Sequence, residues 1–105
     1  MKTFDIDTGY EIYTGCTFKI GKYTDGNLAI SIIDDGGFPL CRFTTNLHVV
    51  DPDCAYLDVN NCEFAEKLVK DLDIATFTGT TKRSGFVTYP LYRFNIEKLE
   101  RYTKH

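Results

Sequence analysis

Two closely spaced Asp-Gly turns in the first half constrain this chain more than any other feature. "TDGN" (24–27) and "DDGG" (34–37) each carry the signal of a tight reversal between extended segments. The stretch between them, "LAISIID" (28–34), is too short for a useful helix and apolar on both faces, which predicts a central strand. Before it, "YEIYTGCTFKIGKY" (10–23) places Ile12, Cys16, Phe18 and Ile20 on one face by simple alternation. After it, "FPLCRFTTNLHVV" (38–50) reads as a third strand, with Pro39 near its beginning, where a missing amide costs least. Three successive strands with short loops predict an antiparallel meander.

"DPD" (51–53) breaks the run, and "AYLDV" (55–59) predicts a brief fourth strand. The clearest helical period follows, with Phe64, Ala65, Leu68, Val69 and Leu72 in one stripe. Asn60 or Asn61 is the expected cap, and Glu63 complements the helix dipole. Glu63–Lys67 and Glu66–Lys70 are expected pairs on the outer side. Such a stripe predicts a helix laid on a sheet face. "IATFTGTTK" (74–82) resumes extended structure, "RSG" (83–85) turns, and "FVTYPLYRFN" (86–95) runs back. Asn95 is the expected cap of a short closing helix, with Ile96, Leu99 and Tyr102 inward and a Glu97–Arg101 pair outward. The order predicts one α+β domain over 1–105: a mainly antiparallel sheet, meander plus C-terminal hairpin, with one amphipathic helix on one face and a short C-terminal helix.

A chain of 105 residues removes roughly two-thirds of its unfolded surface from water, enough for one core. Seven Tyr and eight Phe supply that core and, where exposed, favour interfaces. The net charge of −3 argues against direct nucleic-acid binding, which needs a basic face. It is also too slight for a mimic of phosphate. No apolar run is long enough for a membrane helix. "MKTFDIDTGYEIY" lacks the parts of an export signal, so the expected compartment is the cytoplasm. There Cys16, Cys41, Cys54 and Cys62 are expected to remain reduced. No Cys-x-x-Cys occurs, and His48 and His105 are isolated, so no metal or cofactor is expected. Buried, inert thiols are the plain expectation.

Three chemistries are weighed and set aside. "TGTTKRSG" (78–85) has a Lys and a Ser close together, yet a phosphate loop must open a helix, and here a strand follows. A nucleophile needs a base: His48 would have to meet Cys41 or Cys54, and a strand-end histidine at the solvent edge is the plainer reading. The pairs Asp34/Asp35 and Asp51/Asp53 sit in turns, where Asp caps local amides. No catalytic residues are therefore assigned, and the chain is not expected to be an enzyme.

Two blocks carry a family resemblance. "GNLAISIIDDGGFPLCRFTTNL" (26–47) and the short helix running into "TGTTKRSGFVTYPLYRF" (78–94) resemble the family called domain of unknown function 4313. The similarity spans residues 11–94, with the final helix as an added tail. "YLDVNNCE" (56–63) departs from the acidic run usual there. The shared motifs are glycines and strand residues without a catalytic signature. Family members are common in gut bacteria, their phages and conjugative elements, so the resemblance implies a small protein that binds host machinery.

Residues 79–94 are the expected contact region. In a strand from Phe86, alternation puts Val87, Tyr89, Leu91 and Arg93 on one face and Phe86, Thr88, Pro90, Tyr92 and Phe94 on the other. Pro90 predicts an edge or interrupted strand. Lys82, Arg83, Tyr89, Tyr92 and Arg93 are the candidate binding residues. The plainer reading is an ordinary edge capped by the last helix. The leading expectation is a non-catalytic protein of phage or mobile-element type that binds and modulates a host protein, with inhibition of a defence system as the expected effect. Its rival is a small-ligand sponge for a nucleotide signal, alone or as a homodimer, in which aromatics stack and Lys82, Arg83 and Arg93 hold phosphate.

Overall fold

The Asp-Gly reversals close as expected in the computed structural model, which describes residues 1–103. His105 lies outside them. The elements are β1 (Phe4–Asp7), β2 (Ile12–Lys22), β3 (Leu28–Ile33), β4 (Pro39–Arg42), β5 (Thr44–Thr45), β6 (Cys54–Leu57), α1 (Ala65–Leu72), β7 (Ala75–Ser84), β8 (Val87–Phe94) and α2 (Ile96–Glu100). At the β2–β3 turn the Tyr23 amide donates to the Asn27 carbonyl at 2.8 Å. At the β3–β4 turn the Asp34 carboxylate accepts the Gly36 and Phe38 amides, the local capping that favours Asp in turns. The meander, β3 at its centre and the α+β class are as the sequence predicts.

The sheet, however, is two sheets. Strands β1-β2-β3-β4 form one and β5-β6-β8-β7 the other, with every strand pairing antiparallel. The expected third strand over 38–50 divides at Phe43, which is fully buried. Its amide donates to the Ile30 carbonyl, and the Thr44 hydroxyl accepts the Ile30 amide. The chain thus turns a corner from one sheet into the other at the point where the Phe43 ring enters the core.

Strand β1 was not anticipated. Phe4 and Ile6 point inward and Asp5 and Asp7 outward, too short an alternation to stand out. Its register against β2 shifts between Phe4–Cys16 and Ile6–Tyr13. The extra β2 residue is absorbed beside Gly15, whose φ of 68° favours glycine. The bulge exchanges the faces: Tyr13 packs on the core and Ile12 is 69% exposed, against the expectation that Ile12 lies with Cys16 and Phe18.

Both sheets share one core. Phe18 and Ile30 meet Leu57 and Phe94 there, joined by Ala65, Leu68 and Val69 of α1 and Leu99 of α2. Helix α1 begins later than predicted. Asp58 accepts the Asn61 amide and side chain, so neither Asn60 nor Asn61 caps it, and Phe64 is the N-cap residue, without a side-chain bond. Lys67 pairs with Asp71 in place of Glu63. Glu66 receives the Tyr92 hydroxyl in place of Lys70. At α2 the sequence reading holds: Asn95 accepts the Lys98 amide, and Arg101 lies 3.7 Å from Glu97.

Candidate functional site

The C-terminal hairpin projects past its own sheet. Strand β6 pairs with β8 at Arg93, Tyr92 and Leu91 and no further, so Val87–Pro90 have β7 alone beside them. The prediction of an edge or interrupted strand is met locally: β8 lies between β6 and β7 at Leu91–Arg93, but at Pro90 its β6 side is unpaired. Its missing amide falls just beyond the last β6 pair and opposite Thr81, where the β7 register resumes after a shift. The edge is β7, exposed along nearly all of its length.

That shift occupies Thr78–Thr80. The Thr78 hydroxyl donates to the Leu91 carbonyl and accepts the Thr80 amide, closing a local bulge. The "TGTT" run is thus an interruption inside a strand, and no helix opens from it. From Thr81–Pro90 to Ser84–Val87 the pairing is regular again. The tip is the two residues Gly85 and Phe86, not 83–85. Gly85 has φ 62°, the positive value that a two-residue reversal requires of its first residue.

The alternation read for β8 is correct, and it divides the candidate residues. Tyr89, Leu91 and Arg93 face outward, with Lys82 opposite Tyr89. Arg83 stands opposite Thr88 on the other face, shared with Pro90 and Tyr92. Tyr92 is only 8% exposed and packs on Phe77 with ring centroids 5.6 Å apart. A buried ring cannot anchor a partner, so Tyr92 leaves the set of contact residues. Tyr89 is half-buried, joining Leu91, Leu47, Val49, Cys54 and Tyr56 in a small apolar cluster on the outer face.

Arg93 sits about 13 Å along the strand from Tyr89, and its guanidinium meets Asp51 at 2.6 Å. Asp51 also accepts the Asp53 amide. That amide first, and then Arg93, hold its carboxyl below the usual carboxylate range. A depressed folded value means that its contribution to stability is present above the ordinary value of about 3.9 and lost as pH falls through the folded midpoint. In a carbon-detected titration, Asp51 is expected to titrate low, and Arg93→Ala to return it part of the way, since the Asp53 amide remains. A midpoint indifferent to that substitution would mean that the ion pair is not held in solution.

A family model described as domain of unknown function (DUF4313) matches residues 17–105. The chain belongs to this family. The match begins within β2, not at residue 11, and takes in α2, so the closing helix is part of the DUF4313 pattern and not an added tail. Comparison with curated proteins and with solved structures gives no match. No helix among the described residues of this DUF4313 chain is long and apolar enough to cross a membrane.

The remaining candidates occupy other parts of the fold. His48 is exposed, and its nearest carboxylate is Asp25, at 3.8 Å. Cys54 is buried under the outer cluster, and burial pushes its thiol up. Cys16 is pushed up to about 11 by burial and by nearby Asp5, Asp34 and Asp35. Cys41 is the exception to the expectation of four buried thiols: it is only half-buried, and its Sγ lies 3.4 Å from that of Cys62. Twenty-one residues separate the two, and no spacing rule signals the encounter.

Proposed function

We propose that this DUF4313 protein is a binding module whose projecting β7–β8 hairpin engages a partner protein by strand addition. One observation carries the reading: beyond the bulge, Thr81–Ser84 form a regular, fully exposed edge with no strand on the outer side among the described residues. Unpaired edge amides and carbonyls are a template for a further strand. The bulge blunts the edge at Thr78–Thr80, which confines addition to this distal half. Lys82 and Arg83 form no ion pair there among the described residues, and Phe86 is 98% exposed at the tip.

An extended partner segment carrying acidic residues fits that edge best. A second copy fits poorly, because antiparallel self-pairing around 82–83 sets like charges opposite one another. The partner we propose is a host protein, a defence component among the candidates. The rival reading, a nucleotide sponge, would need Lys82, Arg83 and Arg93 to converge. They lie on two faces of the hairpin, and Arg93 is already engaged by Asp51.

The test is direct. A partner captured from host lysate is purified and titrated against the wild-type chain and against Lys82→Glu combined with Arg83→Glu. Affinity is expected to fall by about tenfold or more and wild-type binding to weaken with added salt. Thermal stability should be unchanged, since both side chains are exposed. Equal affinity for both proteins would move the contact away from the hairpin. A thermal shift with cyclic nucleotides would favour the sponge instead.

A further inference from the structure

We propose that Cys41 and Cys62 form an oxidisable dithiol, a modification site at which a hydroperoxide converts two thiols into an intramolecular disulfide. The geometry carries it. Cys41 lies on β4, the edge strand of the first sheet, where it pairs with Ile32. Cys62 lies in the turn that leads into α1, its amide donating to the Asp58 carbonyl and its carbonyl accepting the Ala65 amide. Both backbones are thus held, and the two sulfurs face one another at 3.4 Å. A disulfide needs about 2.05 Å, a closure of the order that side-chain rotation supplies.

The two positions are unequal in a useful way. Cys41 is half-buried and reachable from the edge, whereas Cys62 is fully buried. The hydrogen bond between the two sulfurs lowers the Cys41 value below that of an ordinary thiol and raises that of Cys62. Cys16 and Cys54 are both pushed upward, so Cys41 is the thiol that most readily ionises. The Cys41 thiolate attacks one peroxide oxygen. The O–O bond breaks, and the departing oxygen leaves as water or an alcohol after taking a proton. Cys62 sulfur then attacks the Cys41 sulfenic acid, the S–O bond breaks, and hydroxide leaves with the Cys62 proton as water. Two electrons pass from the sulfurs to the peroxide. The product ties the edge of the first sheet to the entrance of α1.

Reduced full-length protein is treated with hydrogen peroxide and mapped by peptide mass spectrometry, with free glutathione as the control for dose. The expected result is the loss of two of the four thiols, a mass lower by two hydrogens and a linked Cys41–Cys62 peptide. Closing this loop should raise the melting temperature by roughly 10 °C, reversed by dithiothreitol. In Cys62→Ala, Cys41 loses the bond that lowers its value and should oxidise more slowly, but the sulfenic acid that forms there should persist and be captured by a trapping diketone. Wild-type protein alone decides the matter if that variant folds poorly. Survival of all four thiols at a dose that oxidises glutathione overturns the proposal, as does a linkage through Cys16 or Cys54.

Discussion

Phe18→Ala is expected to destabilise the domain by about 3–5 kcal/mol, the range for removing a fully buried aromatic ring. Phe18 has no exposure to solvent and stands where three parts of the fold meet. Its ring lies 4.6 Å from that of Phe4 in β1 and 5.2 Å from that of Phe43 at the corner between the sheets. Its amide donates to the Tyr102 carbonyl, which ties the segment after α2 to β2. The cavity would open where both sheets and the C-terminal segment converge, so collapse around it is poor. Domains of this size hold about 5–15 kcal/mol in all, so the loss is a large share. Denaturant titration should show a lower midpoint, and Phe18→Leu, which keeps much of the volume, should cost far less. A loss under about 1 kcal/mol for the alanine variant would contradict the shared core.

The strands announced themselves wherever turn signals bounded an alternating or wholly apolar run, as on either side of Gly26. What stayed hidden depended on contacts distant in sequence. Phe43 sits in a run that alternates like any strand, and only its burial against Ile30 shows that the chain changes sheets there. Gly15 marks a bulge, but the sign of its effect, Tyr13 inward and Ile12 outward, requires knowing that β1 lies alongside. Asn60 and Asn61 do not cap α1 because Asp58 accepts the Asn61 amide and side chain in a separate turn, which delays the helix to Phe64, where no side chain caps it.

The candidate surface was legible as a region but not as a set of residues. Alternation along β8 placed Tyr89 and Arg93 together correctly. It could not say which face meets the core, because both faces carry aromatics, and Tyr92 went to the inside. Gly79 inside a strand pattern is a bulge signal, and it separates the Ala75–Phe77 half of β7 from the regular distal half, Thr81–Ser84. The Arg93–Asp51 contact and the Cys41–Cys62 encounter join segments forty-two and twenty-one residues apart, for which one sequence offers no rule.

Tyr92→Ala separates the buried face of the hairpin from its outer one. Tyr92 packs on Phe77 and gives its hydroxyl to Glu66 at 2.7 Å, so β8 is joined through one side chain to α1. Removing the ring should cost about 3 kcal/mol, whereas Arg83→Ala on the exposed edge should stay within about 0.5 kcal/mol. Tyr92→Phe keeps the packing and frees an exposed Glu66 to water, so about 0.5–1 kcal/mol is expected. The phenol is pushed up to about 12, first by burial and then by Glu66. The folded chain therefore holds this proton more tightly than the unfolded one, whose value is about 10. The stabilisation is complete below pH 10 and disappears as pH rises toward 12. Across that window the melting temperature of the wild type should fall more steeply than that of Tyr92→Phe. Parallel curves would place the hydroxyl in water, and with it the ring back among the residues a partner can reach.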